Sequence, residues 1–280
     1  MRYEIRDEGI MSKIEISHLT VDYVEKKKSF TALKDVSFKI EEGEFVSIIG
    51  SSGCGKSTLL SILEGINSPT AGEILIDGEP IRGTGTDRGV VFQHYSLFPW
   101  MTARKNVAFG IKQVNKEASR SERLKIADEF LEKVGLEQFK NKYPSQLSGG
   151  MQQRVAIARA LAMDTDILLM DEPFGAIDAK NRTILQELLL ELWEGDGTKT
   201  RKTVVFVTHD IDEAILLSDR IVMMTANPGQ VFREIDVPFE RPRNRGQLVQ
   251  TKEYTNFRNK LLALFYSDIA EKIGGEEVVL

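Results

Sequence analysis

Gly50-Ser51-Ser52-Gly53-Cys54-Gly55-Lys56-Ser57-Thr58 fits the pattern G-x-x-x-x-G-K-[ST], a loop built to hold phosphate. A strand-forming run (Phe45, Val46, Ile48, Ile49) enters it, and an apolar, helix-compatible run (Leu59, Leu60, Ile62, Leu63) leaves it. That is the strand, loop, helix order the pattern requires. The three glycines let the backbone curl until successive N–H groups face inward, and a helix starting near Lys56 adds the positive end of its dipole. The expectation is a nucleotide site in which Lys56 reaches the β- and γ-phosphates and the Ser57 hydroxyl ligates Mg²⁺. Cys54, among inward-facing amides at a helix N-terminus, is expected to favour thiolate and to react readily with maleimide unless nucleotide shields it.

Working outward, 280 residues allow one large domain or one core with an inserted lobe. A net charge of −5 gives no broad basic footprint for nucleic acid. The single cysteine excludes an intrachain disulfide and fits a reducing compartment. No run approaches about 18 apolar residues, so no membrane span is expected. Residues 1–10 alternate charged and apolar side chains and read as a disordered extension rather than a signal peptide.

Ahead of the loop, Ile14, Ile16, Leu19, Val21 and then Val36, Phe38, Ile40 alternate with period two, predicting an antiparallel pair around the turn Glu25 to Lys28. Tyr23 beside that turn could stack on a purine or simply join the core. After the loop, Ile74-Leu75-Ile76 and Asp77-Gly78 predict a hairpin. Gly89-Val90-Val91-Phe92-Gln93 predicts a buried strand that holds Gln93 at a sheet end, where doubly wound sheets bind ligands.

From Thr102 to Leu161 the period turns helical, with Ser119 and Glu122 at capping-box spacing. This inserted helical lobe closes with Leu147-Ser148-Gly149-Gly150-Met151, where Ser148 caps a helix whose N-terminus either contacts phosphate or is an ordinary capped end. Ile167 to Met170 is an apolar strand running into Asp171 and Glu172, and carboxylates there need a cation or a proton. Asp171 would hold Mg²⁺, and Glu172 would deprotonate a water for in-line attack on the γ-phosphate. Val204 to Val207 is a further strand, ending at His209, which could contact the γ-phosphate. Ile184, Leu185, Leu188, Leu189, Leu192 and Trp193 read as a core-facing helical stripe. After two more strands (Ile221 to Met224, Val231 to Val237), Arg241, Arg243 and Arg245 precede a helix near Phe257 to Tyr266. That tail reads as a surface helix, free in solvent or docking a partner.

In this order the motifs resemble the ATPase subunit of ABC transporters, over the chain after about Met11. The resemblance implies an α/β fold: a P-loop NTPase (RecA-like) core with an antiparallel β-subdomain over 11–93 and 162–240, a helical subdomain over 94–161, and a C-terminal helical tail over 241–280. It implies that Tyr23 stacks adenine, 50–58 is the Walker A loop, Gln93 the Q-loop glutamine and metal contact, and 147–151 the signature. It also implies that Asp171 and Glu172 are Walker B and catalytic base, Asp178 the D-loop aspartate and His209 the switch histidine. The D-loop, Gly175-Ala176-Ile177-Asp178, departs from the family's usual serine and leucine.

The link 83–93, Leu97-Phe98-Pro99-Trp100 and the Arg-Pro-rich tail look most like nitrate/sulfonate/taurine-type importers. The implied cofactors are ATP and Mg²⁺. The implied partners are a second, head-to-tail ATPase subunit, integral membrane permease subunits and, indirectly, an extracytoplasmic solute-binding protein, at the cytoplasmic face of the membrane. The alternatives are a soluble ABC ATPase acting on nucleic acid or ribosomes, which normally carries long coiled-coil insertions or tandem ATPase domains, and a P-loop phosphotransferase, in which LSGGM and His209 have no task. Phe98 and Trp100 could anchor the permease or close the core of the helical lobe.

Overall fold

The computed structural model describes residues 12–25, 28–194 and 201–273. The expected extension over residues 1–10 and part of the turn Glu25 to Lys28 lie outside them. The alternating apolar residues of β1 (Ser12–Glu25) and β2 (Lys28–Glu41) pair antiparallel, Ile14 facing Ile40, Ile16 facing Phe38 and Leu19 facing Val36. β3 (Phe45–Gly50) leads through the glycine-rich loop into α1 (Lys56–Leu63). β4 (Ala71–Ile76) and β5 (Glu79–Pro80) form the expected hairpin. Asp77 and Gly78 both adopt positive φ there, as a two-residue hairpin turn demands. β4 lies along β1, giving an antiparallel sheet of order β2-β1-β4-β5.

The chain then runs through β6 (Arg88–Val91), α2 (Ala103–Val114), α3 (Arg120–Lys133), α4 (Gly149–Ala162), β7 (Ile167–Asp171), α5 (Ala179–Glu194) and β8 (Thr203–Val207). It ends in α6 (Ile211–Leu217), β9 (Arg220–Thr225), β10 (Gln230–Asp236), α7 (Arg245–Leu248) and α8 (Lys252–Ile273). The second sheet has the order β10-β9-β3-β8-β7-β6 and is parallel except for β10. β3 and β8 are buried throughout, because both faces of the sheet are covered. Period two sorts their side chains: Val46, Ile48, Val205 and Val207 pack with α1 and the antiparallel sheet, while Phe45, Val204 and Phe206 pack on α5 and the helical lobe.

In that lobe Ala103, Val107, Ile111, Ala127, Leu131, Val155 and Ala158 bury one face of α2, α3 and α4 together. Ser119 and Glu122 form the full capping box ahead of α3. On α5, Leu185, Leu189 and Trp193 are buried, but Ile184 is 47% exposed. The stripe therefore follows the i, i+4, i+8 row from Leu185, and Ile184, about 100° round the helix, turns toward solvent.

The tail also departs from expectation, since its arginines are spent on the fold. Arg243 donates to the carbonyls of Phe239 (2.9 Å), Ile215 (3.0 Å) and Ser218 (2.6 Å). Arg241 donates to Asp219 at 2.7 Å and stacks on Trp193. The end of α6 leaves carbonyls without partners and carries a negative dipole, and these guanidinium groups answer both. Burial, with the charge of Arg241 second, pushes Arg243 down to about 10. α8 then lays Tyr254 and Leu261, both buried, against α6.

Candidate active site

Strand register gathers the site. Ile48 faces Val207, Val207 faces Asp171, and Met170 faces Val91, so β3, β8, β7 and β6 end along one edge. Their ends deliver the glycine-rich loop, His209, the Asp171-Glu172 pair and Gln93, in that spatial order. None of these is near another in sequence; the parallel sheet makes them neighbours.

The loop is closely packed. A Cβ on Gly50 would lie 2.5 Å from the Met224 carbonyl oxygen, and one on Gly55, at φ +89°, would lie 2.4 Å from Leu33 Cδ2. The buried Lys56 donates from Nζ to the carbonyls of Gly50 (2.8 Å) and Ser51 (3.3 Å), which holds its ammonium over the loop. Ser52 and Gly53 are exposed at the tip, and Ser57 is exposed on the first turn of α1 with Thr58 half-buried beside it. Cys54 overturns the expectation of ready modification. Its side chain is 0% exposed and belongs to the core beneath the loop, with Sγ against Gly50 and 3.6 Å from Lys56 Nζ. The Cys54 N–H closes a turn onto the Ser51 carbonyl at 3.2 Å, and the backbone curl drives the thiol under the loop.

Asp171 stands beside Ser57 at the end of β7. Burial raises its pKa, the Ser57 hydroxyl opposes that, the Glu172 charge adds to it and the Lys56 charge opposes it. A half-buried carboxylate beside a hydroxyl, at the mouth of a nest of backbone amides, is a hard-oxygen donor set that fits Mg²⁺ carried in with phosphate. Among the described residues no group of three or more His, Cys, Asp or Glu could hold a metal without such help.

Glu172 sits at φ +44°, a conformation non-glycine residues seldom adopt, with its N–H bonded to the Val207 carbonyl at 2.9 Å. That turn brings one carboxylate oxygen, Oε2, to 3.4 Å from Gln93 Nε2 and 3.2 Å from His209 Nδ1. Glutamine and histidine from two other strands thus converge on the same oxygen.

The remaining expected residues make other contacts. Ser148 caps α4 by accepting from the Met151 N–H at 3.3 Å. A Cβ on Gly149 would lie 2.5 Å from the Tyr95 hydroxyl, and one on Gly150 3.3 Å from the Ala176 carbonyl oxygen. No hydrogen bond among the described residues joins 148–150 to the loop 50–58. Asp178 accepts from the Asn181 N–H at 3.1 Å and from its side-chain amide at 2.6 Å, and the latter bond, first of several, holds its pKa down. Tyr23 is half-buried, its ring 5.5 Å from that of its cross-strand partner Phe30.

Sequence reasoning missed two residues here. Phe30, 54% exposed beside Tyr23, was legible only as the partner Tyr23 would meet once the strand register was known. Glu64 was legible as the one charge in the apolar run closing α1. It is 7% exposed, and burial, with the Asp171 charge second, pushes its pKa up to about 7. The folded chain keeps this proton up to about pH 7, whereas the unfolded chain loses it near 4.5. Stability from Glu64 is therefore full below pH 4.5 and lost as pH rises through 7. Glu64→Gln keeps the shape without the ionisation. It should be more stable than the parent above pH 7 by about 2–3 kcal/mol and nearly equal to it below pH 4.5. Urea unfolding of the nucleotide-free chain across that range checks this; a difference independent of pH would refute it.

Residues 33–175 match the ABC transporter family. The chain is 46% identical over 261 residues to an uncharacterized ABC transporter ATP-binding protein of Methanocaldococcus jannaschii, covering 93% of this chain and 94% of that protein. It is 48% identical over 242 residues to the nitrate import ATP-binding protein NrtD of Synechococcus elongatus, covering 86% and 87%. With the bicarbonate transport ATP-binding protein CmpD of Synechocystis it shares 43% identity over 265 residues, covering 94% and 93%. Among solved structures it is similar to a dimeric ATP-binding cassette in a post-hydrolysis state bound to ADP and Pi. The TM-score is 0.73 at 41% identity, over 81% of this chain and all of that one.

Proposed function

Since the chain belongs to the ABC transporter family as an ATP-hydrolysing, ATP-binding subunit, we propose that it powers uptake of a small anionic solute through a separate membrane permease. The solute class, of the nitrate or bicarbonate kind, is supported by the names of the relatives. The observation that carries the catalytic reading is the convergence of Gln93 and His209 on Glu172 Oε2, next to Asp171 and Ser57.

In this reading the amides of 50–58 and Lys56 hold the phosphates, and Tyr23 with Phe30 offers the adenine an aromatic platform. Ser57, Asp171 and Gln93 would hold Mg²⁺, which when bound neutralises phosphate charge. Glu172 accepts the proton of the attacking water at its carboxylate. Gln93 and His209 keep that carboxylate turned toward the strand ends, so the base is oriented before water arrives.

Ser148, Gly149 and Gly150 serve a second subunit's nucleotide across a head-to-tail dimer, with Asp178 beside them. The lack of any hydrogen bond, among the described residues, from them to this chain's own loop and the dimeric state of the similar cassette support that assignment. No helix among the described residues is long and apolar enough to cross a membrane. As the ATPase of a separate permease, the chain would sit at the cytoplasmic face. An external solute-binding protein would supply the cargo. Deleting the gene and measuring uptake of labelled nitrate, bicarbonate and taurine tests the reading. Loss of one uptake, restored by the intact gene, is expected; unchanged uptake of all three would overturn the solute class.

Trp100 is the proposed anchor for the permease. It is 70% exposed, its ring rests on Phe98 at 5.6 Å, and Asn106, wholly buried, pins the loop through the carbonyls of Phe98, Met101 and Thr102. A rigid loop that presents a bare tryptophan is built for a partner, and the exposure argues against closure of the helical lobe. Trp100→Ala should leave the melting temperature of the isolated subunit unchanged while weakening permease binding by at least about 2 kcal/mol. Thermal unfolding read beside a permease pull-down checks both; normal binding would remove Trp100 from the interface.

A further inference from the structure

A line of hydrogen bonds, buried at its centre, leads from the C-terminal segment to the backbone that carries His209. Arg245 Nη1 donates to Gln186 Oε1, Gln186 Nε2 donates to Glu213 Oε1 at 3.0 Å, and the Thr208 hydroxyl donates to Glu213 Oε2 at 2.7 Å. Thr208 Oγ1 in turn accepts from the Asp210 N–H at 3.0 Å, so the residues on both sides of His209 are tied down. Gln186, Glu213 and Thr208 are all at least 95% buried. The amide of Gln186 lies with its carbonyl on the guanidinium and its N–H on the carboxylate. That is a dipole aligned between opposite charges, in which each bond strengthens the next.

The same segment fixes α6, which starts two residues after His209, at both ends. Near its start Asp212 Oδ1 accepts from the Tyr254 hydroxyl at 2.6 Å and from Arg258 Nε at 2.8 Å. At its end Arg243 takes the carbonyls of Ile215 and Ser218.

We propose that Arg245 is a positioning residue for ATP hydrolysis, holding His209 against Glu172 through Gln186, Glu213 and Thr208. The C-terminal segment thereby becomes part of the catalytic apparatus at a distance, a role that no exposed tail would have. The proposal rests on the reading of His209 given above, so its test includes a readout that does not need hydrolysis. Arg245→Met keeps the aliphatic stem and removes the donor; Gln186→Leu breaks the next link; Arg245→Lys restores a cation. In the full chain, Arg245→Met and Gln186→Leu should each lower kcat about five- to tenfold with the KM for ATP within twofold, and Arg245→Lys should recover part of the loss.

The chain has three histidines, so the ring ¹⁵N resonances of His209 are readily assigned by its own substitution. They should shift in Arg245→Met and Gln186→Leu, while those of His18 and His94 stay in place. Unmoved His209 resonances in both variants would overturn the proposal. Shifted resonances with unchanged kcat would leave a mechanical link but overturn the positioning role of Arg245 in hydrolysis, whereas a parent rate in the His209 substitution used for assignment would refute the reading of His209 itself. Loss of all three histidine signals to unfolding in Arg245→Met would make Arg245 a purely structural residue and defeat the proposal.

Discussion

Glu172→Gln should slow ATP hydrolysis by about 10²–10⁴-fold while ATP still binds, because the amide keeps the shape of the carboxylate but cannot take a proton from water. The structure makes the substitution unusually clean. Glu172 Oε2 sits 3.4 Å from an amide and 3.2 Å from an imidazole. A glutamine oxygen accepts in the same place, and the phosphate loop is not touched. With hydrolysis blocked and ATP and Mg²⁺ present, the subunit should elute from gel filtration as a stable dimer, and without nucleotide as a monomer. Retention of the parent rate would remove Glu172 from the role of base. Loss of ATP binding along with hydrolysis would mean that the residue shapes the pocket rather than the chemistry.

The elements legible in the sequence are those whose signal is local. The strand, loop, helix around 50–58 needs only adjacent residues, and so does the capping box at Ser119 and Glu122, which forms in full. The convergence of Gln93, Glu172 and His209 is legible only in outline, since each residue reads as ending a strand but strand order is a tertiary fact. Where local pattern misleads, the cause is a side-chain direction or a partner far away in the chain. Cys54 reads as part of the cradle because its amide is expected to face inward, yet its thiol turns into the core. Arg241, Arg243 and Arg245 read only as a basic segment ahead of a surface helix. Their partners, Asp219, the α6 carbonyls and Gln186, are 22 to 59 residues away, beyond any window that reads local pattern. Glu64 shows the converse: a charge inside an apolar run signals an unusual environment by its position alone, but nothing local says that Asp171 is its neighbour.

Arg220→Met should destabilise the fold by about 3–5 kcal/mol, because it strands a buried carboxylate. Arg220, 6% exposed at the start of β9, donates Nε to Glu44 Oε1 at 2.7 Å and Nη2 to Glu44 Oε2 at 2.8 Å, a two-pronged pair. It also donates to the Lys39 carbonyl on β2 and to Glu234 on β10. One side chain thus ties the antiparallel sheet to the parallel one. Burial works against its charge, but the bonds and charge of Glu44 and Glu234 outweigh it and hold the guanidinium above its usual range. Methionine fills much of the same volume, so the loss measures unpaired charge rather than a cavity. The double variant Arg220→Met with Glu44→Leu removes the stranded carboxylate as well and should recover more than half of the loss. For a chain of this size the single variant should melt roughly 6–20 °C lower, with urea unfolding giving the free energies. A loss under about 1 kcal/mol in the single variant would mean that Glu44 finds water or another donor, and the two sheets would then be held together by their shared apolar layer and the backbone bridge between Leu33 and Gly229.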